Sequence, residues 1–339
     1  MILHSTYSEI DLTQWNNLVA DCPTVSFFQT PECYEFYDSL SFLQPFVFGI
    51  SENKMLVGVI CGYIISEGSA IKSYFSRRAI VPGGALLHPD ISPRALRTIF
   101  EHTSSILSRD AIYIELRNYK DYASFRTSIE STGFRYQPHM NIQVSIVDEE
   151  TTLKQISESK RRQLKSSQHA GVEWQETTDT EDIKAFYSIL KNLYKRKVKK
   201  PLFPIEFFEK LAGLQNGKLL VVKYHHRVIG GMACVILPGQ TLYEWFVCGE
   251  ELAEKAIFTS VVATWAGMET AAQNRVPRFD FMGAGSPGKD YGVREFKSKF
   301  GGQLVENGRF LYICKPLRYN FGKIVLATYK YISGVGRKK

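Results

Sequence analysis

The sequence predicts an α/β protein of two domains, and three observations support this fold class. At 339 residues the chain exceeds one average domain and suits two of roughly 150 residues. Helical and strand patterns are interspersed along its length. The same order of elements also occurs twice: helices, meandering strands, a helix, a strand ending near an acid, a short helix closed by glycine, and a last strand.

The first series spans residues 1–147. Helical spacing covers "DLTQWNNLVAD" and "TPECYEFYDSL", where Thr30 and Pro31 form a helix start. Strand candidates follow in "PFVFGIS", "KMLVGVICGYIIS", "AIKSYFSR" and "RAIVPGGALLHP". A helix opened by Ser92 and Pro93, the strand "AIYIELRN", a helix closed by Gly133 and the strand "RYQPHMNIQVSIV" complete this domain.

The second series spans residues 148–316. It opens with one long helix, "TTLKQISESKRRQLKSSQHAGV", and two shorter ones, "DIKAFYSILKNLYKRK" and "IEFFEKLAGL". The strands "KLLVVKYHH", "RVIGGMACVIL" and "TLYEWFVCG", a largely apolar helix, and the strands "RFDFMG" and "RFLYICK" follow. Residues 317–339 form a separate segment rich in basic and aromatic residues.

Composition narrows the class of protein. The 44% hydrophobic and 13% aromatic content is typical of a folded core and excludes a disordered chain. Six scattered cysteines without a CxxC pair indicate neither a zinc site nor a disulfide framework. Without a signal peptide or an apolar run of about 20 residues, we expect a cytoplasmic location. The net charge of +8 suits an anionic partner and is equally common in enzymes that have none.

The order of several motifs carries a family resemblance. In the second half "SKRRQLKSSQHAGV", "YEWFV", "FDFMGAG" and "EFKSKFGGQLV" follow one another, and the first half contains "SFFQTPECYEFY". In this order the motifs resemble the Fem-type peptidyltransferases and their acetyltransferase-like relatives of the GNAT fold, over nearly the whole chain. The resemblance implies two tandem GNAT-like domains, each with a mixed, mostly antiparallel sheet flanked by helices, and a main site in the second domain.

The resemblance also implies an activity. Fem enzymes attach amino acids from aminoacyl-tRNA to an amine of a cell-wall peptide precursor, so the chain is expected to be an N-acyltransferase of envelope biogenesis. No sustained heptads are present, which makes this the armless type and leaves tRNA binding open. Among site residues, Lys297 stands where the family motif has a lysine before a Phe-Gly pair. We expect it to bind a substrate carboxylate or to stabilise the oxyanion.

Other residues of the same region complete the predicted site. Lys299 and Arg294 are candidates for substrate binding, with a solvated helix face as the alternative. Asp280 ends a buried strand and is a candidate proton acceptor for an attacking amine, or the cap of a turn. Tyr291 is a candidate acid or hydrogen-bond donor. Strand alternation places Tyr243 and Trp245 on one face and the residues between and after them on the other, with Tyr243 a candidate for substrate contact.

Two basic clusters indicate partners. "SKRRQLK", with Arg161 and Arg162, and "KNLYKRKVKK", with Arg196, suit the phosphates of a nucleotide-linked precursor or of tRNA, or form solvated faces. The aromatic residues and lysines of 317–339 fit peripheral contact with the inner face of an anionic membrane, or a docked terminal helix.

The donor stays open between aminoacyl-tRNA and acyl-CoA, and no tightly bound cofactor or metal is expected. GNAT enzymes hold the CoA pyrophosphate on a Gly-rich loop. The corresponding stretch, "CGEELAEKAIF", contains one glycine and three acids that disfavour a diphosphate. The first alternative function is therefore an acyl-CoA- or acyl-carrier-dependent transferase acting on a sugar, polysaccharide or lipid precursor. A second alternative is a catalytically silent binding module of an envelope assembly. The oligomeric state stays undetermined.

Overall fold

The structure, a computed structural model, describes residues 1–66, 76–288 and 292–322. The chain forms two compact units, each described here by itself. Unit 1 consists of Met1–Pro138 and Asn307–Lys339, and unit 2 of His139–Glu306. Each unit contains one mixed sheet with helices, as predicted. The strand candidate "AIKSYFSR" lies mostly outside the described residues.

Within the described residues, the sheet of unit 1 has eight strands. They are β1 (Ile2–His4), β2 (Gln44–Glu52), β3 (Met55–Ile65), β4 (Arg78–Gly83), β5 (Leu86–Leu87), β6 (Tyr113–Asn118), β7 (Arg135–Gln137) and β15 (Arg309–Ile313). Their order is β1-β2-β3-β4-β6-β15-β7, with β5 beside β3. Among the described strands of this unit, β4 and β6 are the pair that runs in parallel, over five residue pairs that end at Gly83 and Asn118.

Four α-helices of unit 1 lie within the described residues: α1 (Leu12–Asp21), α2 (Pro31–Ser39), α3 (Pro93–Leu107) and α4 (Arg126–Glu130). The predicted start of α3 is confirmed, because the Ser92 hydroxyl accepts a hydrogen bond from the Ala95 N–H. The apolar stripe of α3, with Ile99 and Phe100, is buried in one core cluster with Ile114 of β6. This packing holds the parallel pair of unit 1 in place.

The sheet of unit 2 has seven strands. They are β8 (Met140–Ser145), β9 (Val172–Glu176), β10 (Gly217–Tyr224), β11 (Arg227–Leu237), β12 (Thr241–Gly249), β13 (Arg278–Asp280) and β14 (Gln303–Glu306). Their order is β14-β8-β13-β12-β11-β10-β9, and β12 and β13 are the parallel pair. Taken from β9 to β14, this order matches the seven-strand path of unit 1 from β1 to β7, and β5 of unit 1 has no counterpart among the described residues.

The α-helices of unit 2 within the described residues are α5 (Glu149–Gln155), α6 (Glu158–His169), α7 (Thr180–Leu193), α8 (Ile205–Ala212), α9 (Thr259–Gln273) and α10 (Gly292–Ser298). A π-helical turn, Tyr194–Val198, follows α7. The single long helix predicted near the start of this unit is wrong. Ile156 is extended and the Ser157 hydroxyl accepts from the Lys160 N–H, so a second helix begins there.

The two units exchange strands along the chain. β8 pairs with β13 and β14 in unit 2, although it directly follows the elements of unit 1. β15 pairs with β6 and β7 in unit 1, although it follows the elements of unit 2. The observed units therefore differ from the expected domains 1–147 and 148–316 at both boundaries. Local patterns predict strands, but not pairing between residues far apart in sequence.

Candidate active site

The candidate site lies where the two parallel strands of unit 2 separate. β12 and β13 are paired at two positions, Leu242 with Phe279 and Tyr243 with Asp280. β12 then continues to Gly249 paired with β11, whereas β13 ends at Asp280. We call this point the fork. In open α/β sheets, ligands bind beyond the carboxyl ends of such strands.

Lys297 of α10 reaches across the fork. Its Nζ lies 3.2 Å from Oε1 of Glu244, the residue of β12 that follows the last pair. The same ammonium donates to the carbonyl oxygens of Phe281 at 2.7 Å and Gly283 at 3.2 Å, both just after β13. An ammonium has three N–H donors, so all three are used. Lys297 therefore joins the two diverging chains instead of pointing freely into solvent.

One carboxylate oxygen of Glu244 is paired with Lys297, and the other is open, meaning that it accepts no hydrogen bond from the described residues. Its side chain is 3% exposed, and Oε2 is buried without a hydrogen-bond partner among the described residues. Burial raises the pKa of Glu244, and the nearby charge of Lys297 opposes this increase. A buried carboxylate oxygen without a partner costs free energy. Glu244 is thus suited to accept a hydrogen bond, or a proton, from a ligand.

Asp280 is fully buried but has no open oxygen. Its Oδ1 accepts from Asn141 Nδ2 at 2.8 Å and from the Met282 N–H at 2.7 Å, and its Oδ2 accepts from Gln143 Nε2 at 2.9 Å. Burial raises the pKa of Asp280, while these hydrogen bonds and the charge of Lys297 oppose the increase. Asp280 therefore fixes the start of the loop after β13, and of the two carboxylates Glu244 is the one open to a ligand.

A β-bulge changes the facing of the residues that follow Glu244. Glu244 and Phe246 lie opposite consecutive residues of β11, so Trp245 is an extra residue. The rings of Trp245 and Phe246 both pack against Phe207, at centroid distances of 4.8 and 5.5 Å. The predicted strict alternation along "YEWF" is therefore wrong after Glu244. Tyr243, before the bulge, is completely buried beside Asp280.

The stretch between β12 and α9 corresponds to the expected donor loop. Oε2 of Glu250 lies 2.8 Å from Nη1 of Arg227, and Glu251 forms an ion pair with Lys197 of the π-helical turn. Glu250 and Glu251, two of the three acids in this stretch, are thus paired with cations. The third acid is Glu254. The loop repels a phosphate less than its sequence indicates.

Two predicted substrate-binding residues, Arg294 on α10 and Lys299 just after it, have protein partners instead. The Arg294 guanidinium donates to the carbonyl oxygens of Ala284 and Ser286. This contact holds the glycine-containing loop after β13. Lys299, in the turn directly after α10, is exposed, and its Nζ lies 2.9 Å from Oε1 of Glu295 on that helix. Neither side chain joins the buried cluster in the fork.

The predicted phosphate contacts lie on exposed elements. Arg161 donates to the Lys154 carbonyl oxygen at 2.6 Å, and Arg162 lies 3.7 Å from Glu158. Arg196, in the π-helical turn, is exposed and has no ion-pair partner among the described residues. The structure therefore does not bring these three residues to the fork.

Of the three predicted catalytic residues, two meet in the fork. The charge of Lys297 opposes the raised pKa of both Asp280 and Glu244, and the charge of Asp280 raises the pKa of Glu244 further. Tyr291 lies outside the described residues. Within the described ranges, no group of three His, Cys, Asp or Glu side chains could hold a metal ion.

Sequence reasoning missed Glu244, although one signal was present. It is the only charged residue of the nine in β12, and every other member of that strand is apolar, small or uncharged. A lone acid in such a strand requires a buried partner or a ligand. The partner, Lys297, lies 53 positions further along the chain, so no local pattern connects the two residues.

Comparison with known proteins agrees with this geometry. Residues 154–298 match the family model described as "Acetyltransferase (GNAT) domain". That range includes β12, β13 and α10, and therefore the whole fork. A search of curated proteins finds no match.

Solved structures share the fold at low sequence identity. The crystal structure of FemX superposes with a TM-score of 0.71 and 14% identity, covering 95% of this chain and 99% of that one. A tandem GNAT protein of the clavulanic acid biosynthesis pathway gives 0.60 and 10%, covering 92% and 99%. L-PGS from Bacillus licheniformis gives 0.55 and 12%, covering 89% and 91%. These matches confirm the predicted tandem GNAT fold.

Proposed function

We propose that this chain, a Fem-like member of the GNAT superfamily and an acyl-transferring enzyme, moves an aminoacyl group onto an amine of a cell-envelope precursor. The observation that carries the proposal is the buried Glu244–Lys297 pair in the fork of a GNAT domain, with Glu244 Oε2 open. A carboxylate oxygen without a hydrogen-bond partner can take up the proton that an attacking amine must lose.

The reaction balances with these groups. The amine nitrogen attacks the ester or thioester carbonyl, and its proton passes to Glu244 Oε2. The tetrahedral intermediate then expels the alcohol or thiol, which leaves with the proton returned by Glu244. An amide bond forms and an ester or thioester bond breaks, without an oxidant or a metal. Asp280 is the weaker candidate for this role, because both its oxygens already accept hydrogen bonds.

Lys297 contributes through its charge. It opposes the effect of burial on the pKa of Glu244, and a positive charge beside the fork also stabilises the developing oxyanion. Direct hydrogen bonding to the oxyanion requires Lys297 to release one of its present acceptors. The contact with the Gly283 carbonyl oxygen, at 3.2 Å, is longer than that with Phe281 at 2.7 Å and is the one we expect to exchange.

Aminoacyl-tRNA is the donor in this proposal, and the acceptor is an anionic, nucleotide-linked precursor. Exposed cations beside the loop after β12 support an anionic partner: Lys197 links the basic π-helical turn to this loop, and Arg196 precedes it in the same turn. A second candidate is acyl-CoA-dependent transfer to a sugar or lipid precursor. The pairing of Glu250 and Glu251 with cations favours this candidate, because it lowers repulsion of a diphosphate.

Peripheral membrane contact is part of the same proposal. Leu317 and Phe321, four residues apart after β15, are 87% and 54% exposed, and Arg318 lies between them. An apolar pair flanked by cations suits an anionic bilayer surface. In the described parts of the chain, no helix is long and apolar enough to cross a membrane. Sedimentation with phosphatidylglycerol vesicles, compared between the wild type and Leu317→Ser/Phe321→Ser, tests the contact.

The experiment crosses two donors with two acceptor classes. Labelled aminoacyl-tRNA and labelled acetyl-CoA are each incubated with a nucleotide-linked cell-wall peptide precursor and with a panel of amino sugars. We expect labelled amide only from aminoacyl-tRNA with the peptide precursor. Transfer from acetyl-CoA, together with calorimetric binding of CoA tighter than about 100 μM, would replace the proposal with the second candidate.

A further inference from the structure

One buried lysine near the site takes no part in the mechanism above. Lys160, on α6, belongs to a basic cluster whose other members are mostly exposed, yet it is only 7% exposed. Its Nζ donates to Gln163 Oε1 at 3.0 Å and has no carboxylate partner among the described residues. Buried ammonium groups are normally paired with an acid.

Two aromatic rings of the segment that carries Lys297 face this ammonium instead. Lys160 Nζ lies 4.2 Å from the ring centroid of Phe296 and 5.8 Å from that of Phe300. The two rings are neighbours, with centroids 5.2 Å apart, and Phe300 also contacts Phe281 beside the fork. The ring faces supply the negative potential that a carboxylate usually provides.

The helix that receives this contact is short and requires contacts with the rest of the unit to hold it. α10 has seven residues, too few to be stable in isolation. A second contact lies at the same end, where the Ser157 N–H donates to the Lys299 carbonyl oxygen at 2.9 Å. The start of α6 thus holds the end of α10, and Lys297 lies between Phe296 and Phe300 in the chain.

We propose that Lys160 is a positioning residue, which holds α10 through the rings of Phe296 and Phe300 so that Lys297 reaches Glu244. Like charge supports this arrangement. Lys299 lies close enough for its charge, after the larger effect of burial, to lower the pKa of Lys160. Lys160 therefore has a like charge nearby, and the rings of Phe296 and Phe300 supply its electrostatic stabilisation. The catalytic meaning of Lys297 rests on the proposed function, but its position does not.

The test measures the NMR signal of the Lys297 ammonium, which depends on the position of this side chain. In ¹⁵N-lysine-labelled protein, a buried ammonium with three hydrogen bonds exchanges slowly and gives its own ¹H–¹⁵N signal, assigned by its loss in Lys297→Arg. We expect Lys160→Met to shift or broaden this signal, and Lys160→Arg, which keeps the cation over the rings, to restore it. Lys165→Met is the matched control, because Lys165 lies exposed on the same helix.

A second variant distinguishes loss of the Lys160–ring contact from misfolding of the protein. Phe296→Leu removes the nearer ring and leaves Lys160 in place, and it should perturb the Lys297 signal in the same way. The double variant Lys160→Met/Phe296→Leu should perturb the signal little more than either single variant, because both changes remove the same contact. Melting temperatures within about 4 °C of the wild type exclude general destabilisation.

An unchanged Lys297 signal in folded Lys160→Met would overturn the proposal. Equal perturbation by Lys165→Met would also overturn it. Neither result depends on transfer activity, so a failure of the proposed function remains distinguishable. If transfer is observed, Lys160→Met should lower kcat with KM nearly unchanged, since the change acts on the catalytic group and not on substrate contacts.

Discussion

The parallel strand pairs of the two units have the same place in the sheet but different chemistry at their ends. In unit 1 the pair runs unbroken to Gly83 and Asn118, and the Gln29 amide donates to the carbonyl oxygens of Gly83 and Gly84, both at 3.1 Å. In unit 2 the pair ends after two positions, and Lys297 occupies the separation.

The residues at the ends of the two parallel pairs also differ in charge. Asn118, a neutral amide, stands where unit 2 has Asp280, and each contacts an asparagine near the exchanged strand: Asn118 donates to the Asn307 carbonyl oxygen, and Asp280 accepts from Asn141. Unit 1 closes its strand end with neutral groups, whereas unit 2 gathers two carboxylates and a lysine. One topology therefore ends in neutral, hydrogen-bonded groups in one unit and in a buried charged cluster in the other.

The largest expected effect is on transfer activity when the open carboxylate is removed. Glu244→Gln keeps the shape of the side chain but cannot accept a proton, so kcat should fall by about 10²–10⁴-fold. Transfer assays measure this loss. Glu295→Gln, at an exposed glutamate of α10, is the control and should retain wild-type activity. Equal activity of the two variants would remove Glu244 from the mechanism.

Breaking the buried ion pair from the other side should cost both activity and stability. Lys297→Met leaves Glu244 buried without its cation, which should lower the free energy of unfolding by about 3–5 kcal/mol. Urea titration measures the loss. Adding Glu244→Gln to Lys297→Met should recover part of the stability but none of the activity. Full stability of the single variant would show that the pair is open to solvent.

Unit 1 offers a contrasting carboxylate, whose role is structural. Glu115 of β6 lies 2.8 Å from Arg117 and 2.6 Å from Arg309 of the exchanged strand β15. Despite burial, which raises it, these two cations lower the pKa of Glu115 to about 2.

Because the folded pKa of Glu115 is depressed, its contribution is present above the usual pKa near 4.5 and is lost as the pH falls toward about 2. A shift of this size corresponds to about 3 kcal/mol. Urea unfolding at several pH values from 5 to 2 measures the loss, which should be smaller in Glu115→Gln. Transfer activity at neutral pH should change little in that variant, provided it remains folded.

A smaller effect is expected at Asp280. Asp280→Asn gives unit 2 the amide that unit 1 has at this place, but one oxygen becomes an NH₂ group facing the donors of Asn141 or Gln143. The free energy of unfolding should fall by about 1–3 kcal/mol. Activity should stay within about tenfold of the wild type, because Glu244 remains. A loss as large as that of Glu244→Gln would return Asp280 to the role of proton acceptor.

Much of this comparison could be predicted from sequence, but not its central feature. The α/β class, the tandem arrangement and the importance of "EFKSKFGG" follow from local patterns and motif order. Pairing between distant segments does not, which is why the exchange of β8 and β15 was missed. The bulge at Trp245 has no signature in the pattern of apolar residues, so strict alternation was expected.

Side-chain roles depend still more on distant contacts. Lys297 was identified from its motif, but its partner Glu244 lies on a different strand. Lys160 reads as one more exposed base of "SKRRQLK", because burial beneath Phe296 appears only when α6 and α10 are packed together. Charged clusters in a sequence therefore predict a surface but not the exceptional buried member.

The most direct test of the account is the pH dependence of transfer at saturating substrate in the wild type and Glu244→Gln. Because burial raises the pKa of Glu244 above 4.5, the wild-type rate should rise with pH to a plateau, with a midpoint above that value. Glu244→Gln should be slow at every pH and lack this step. A Glu244→Gln profile that coincides with the wild type in rate and midpoint would contradict the assignment of Glu244 as the proton acceptor.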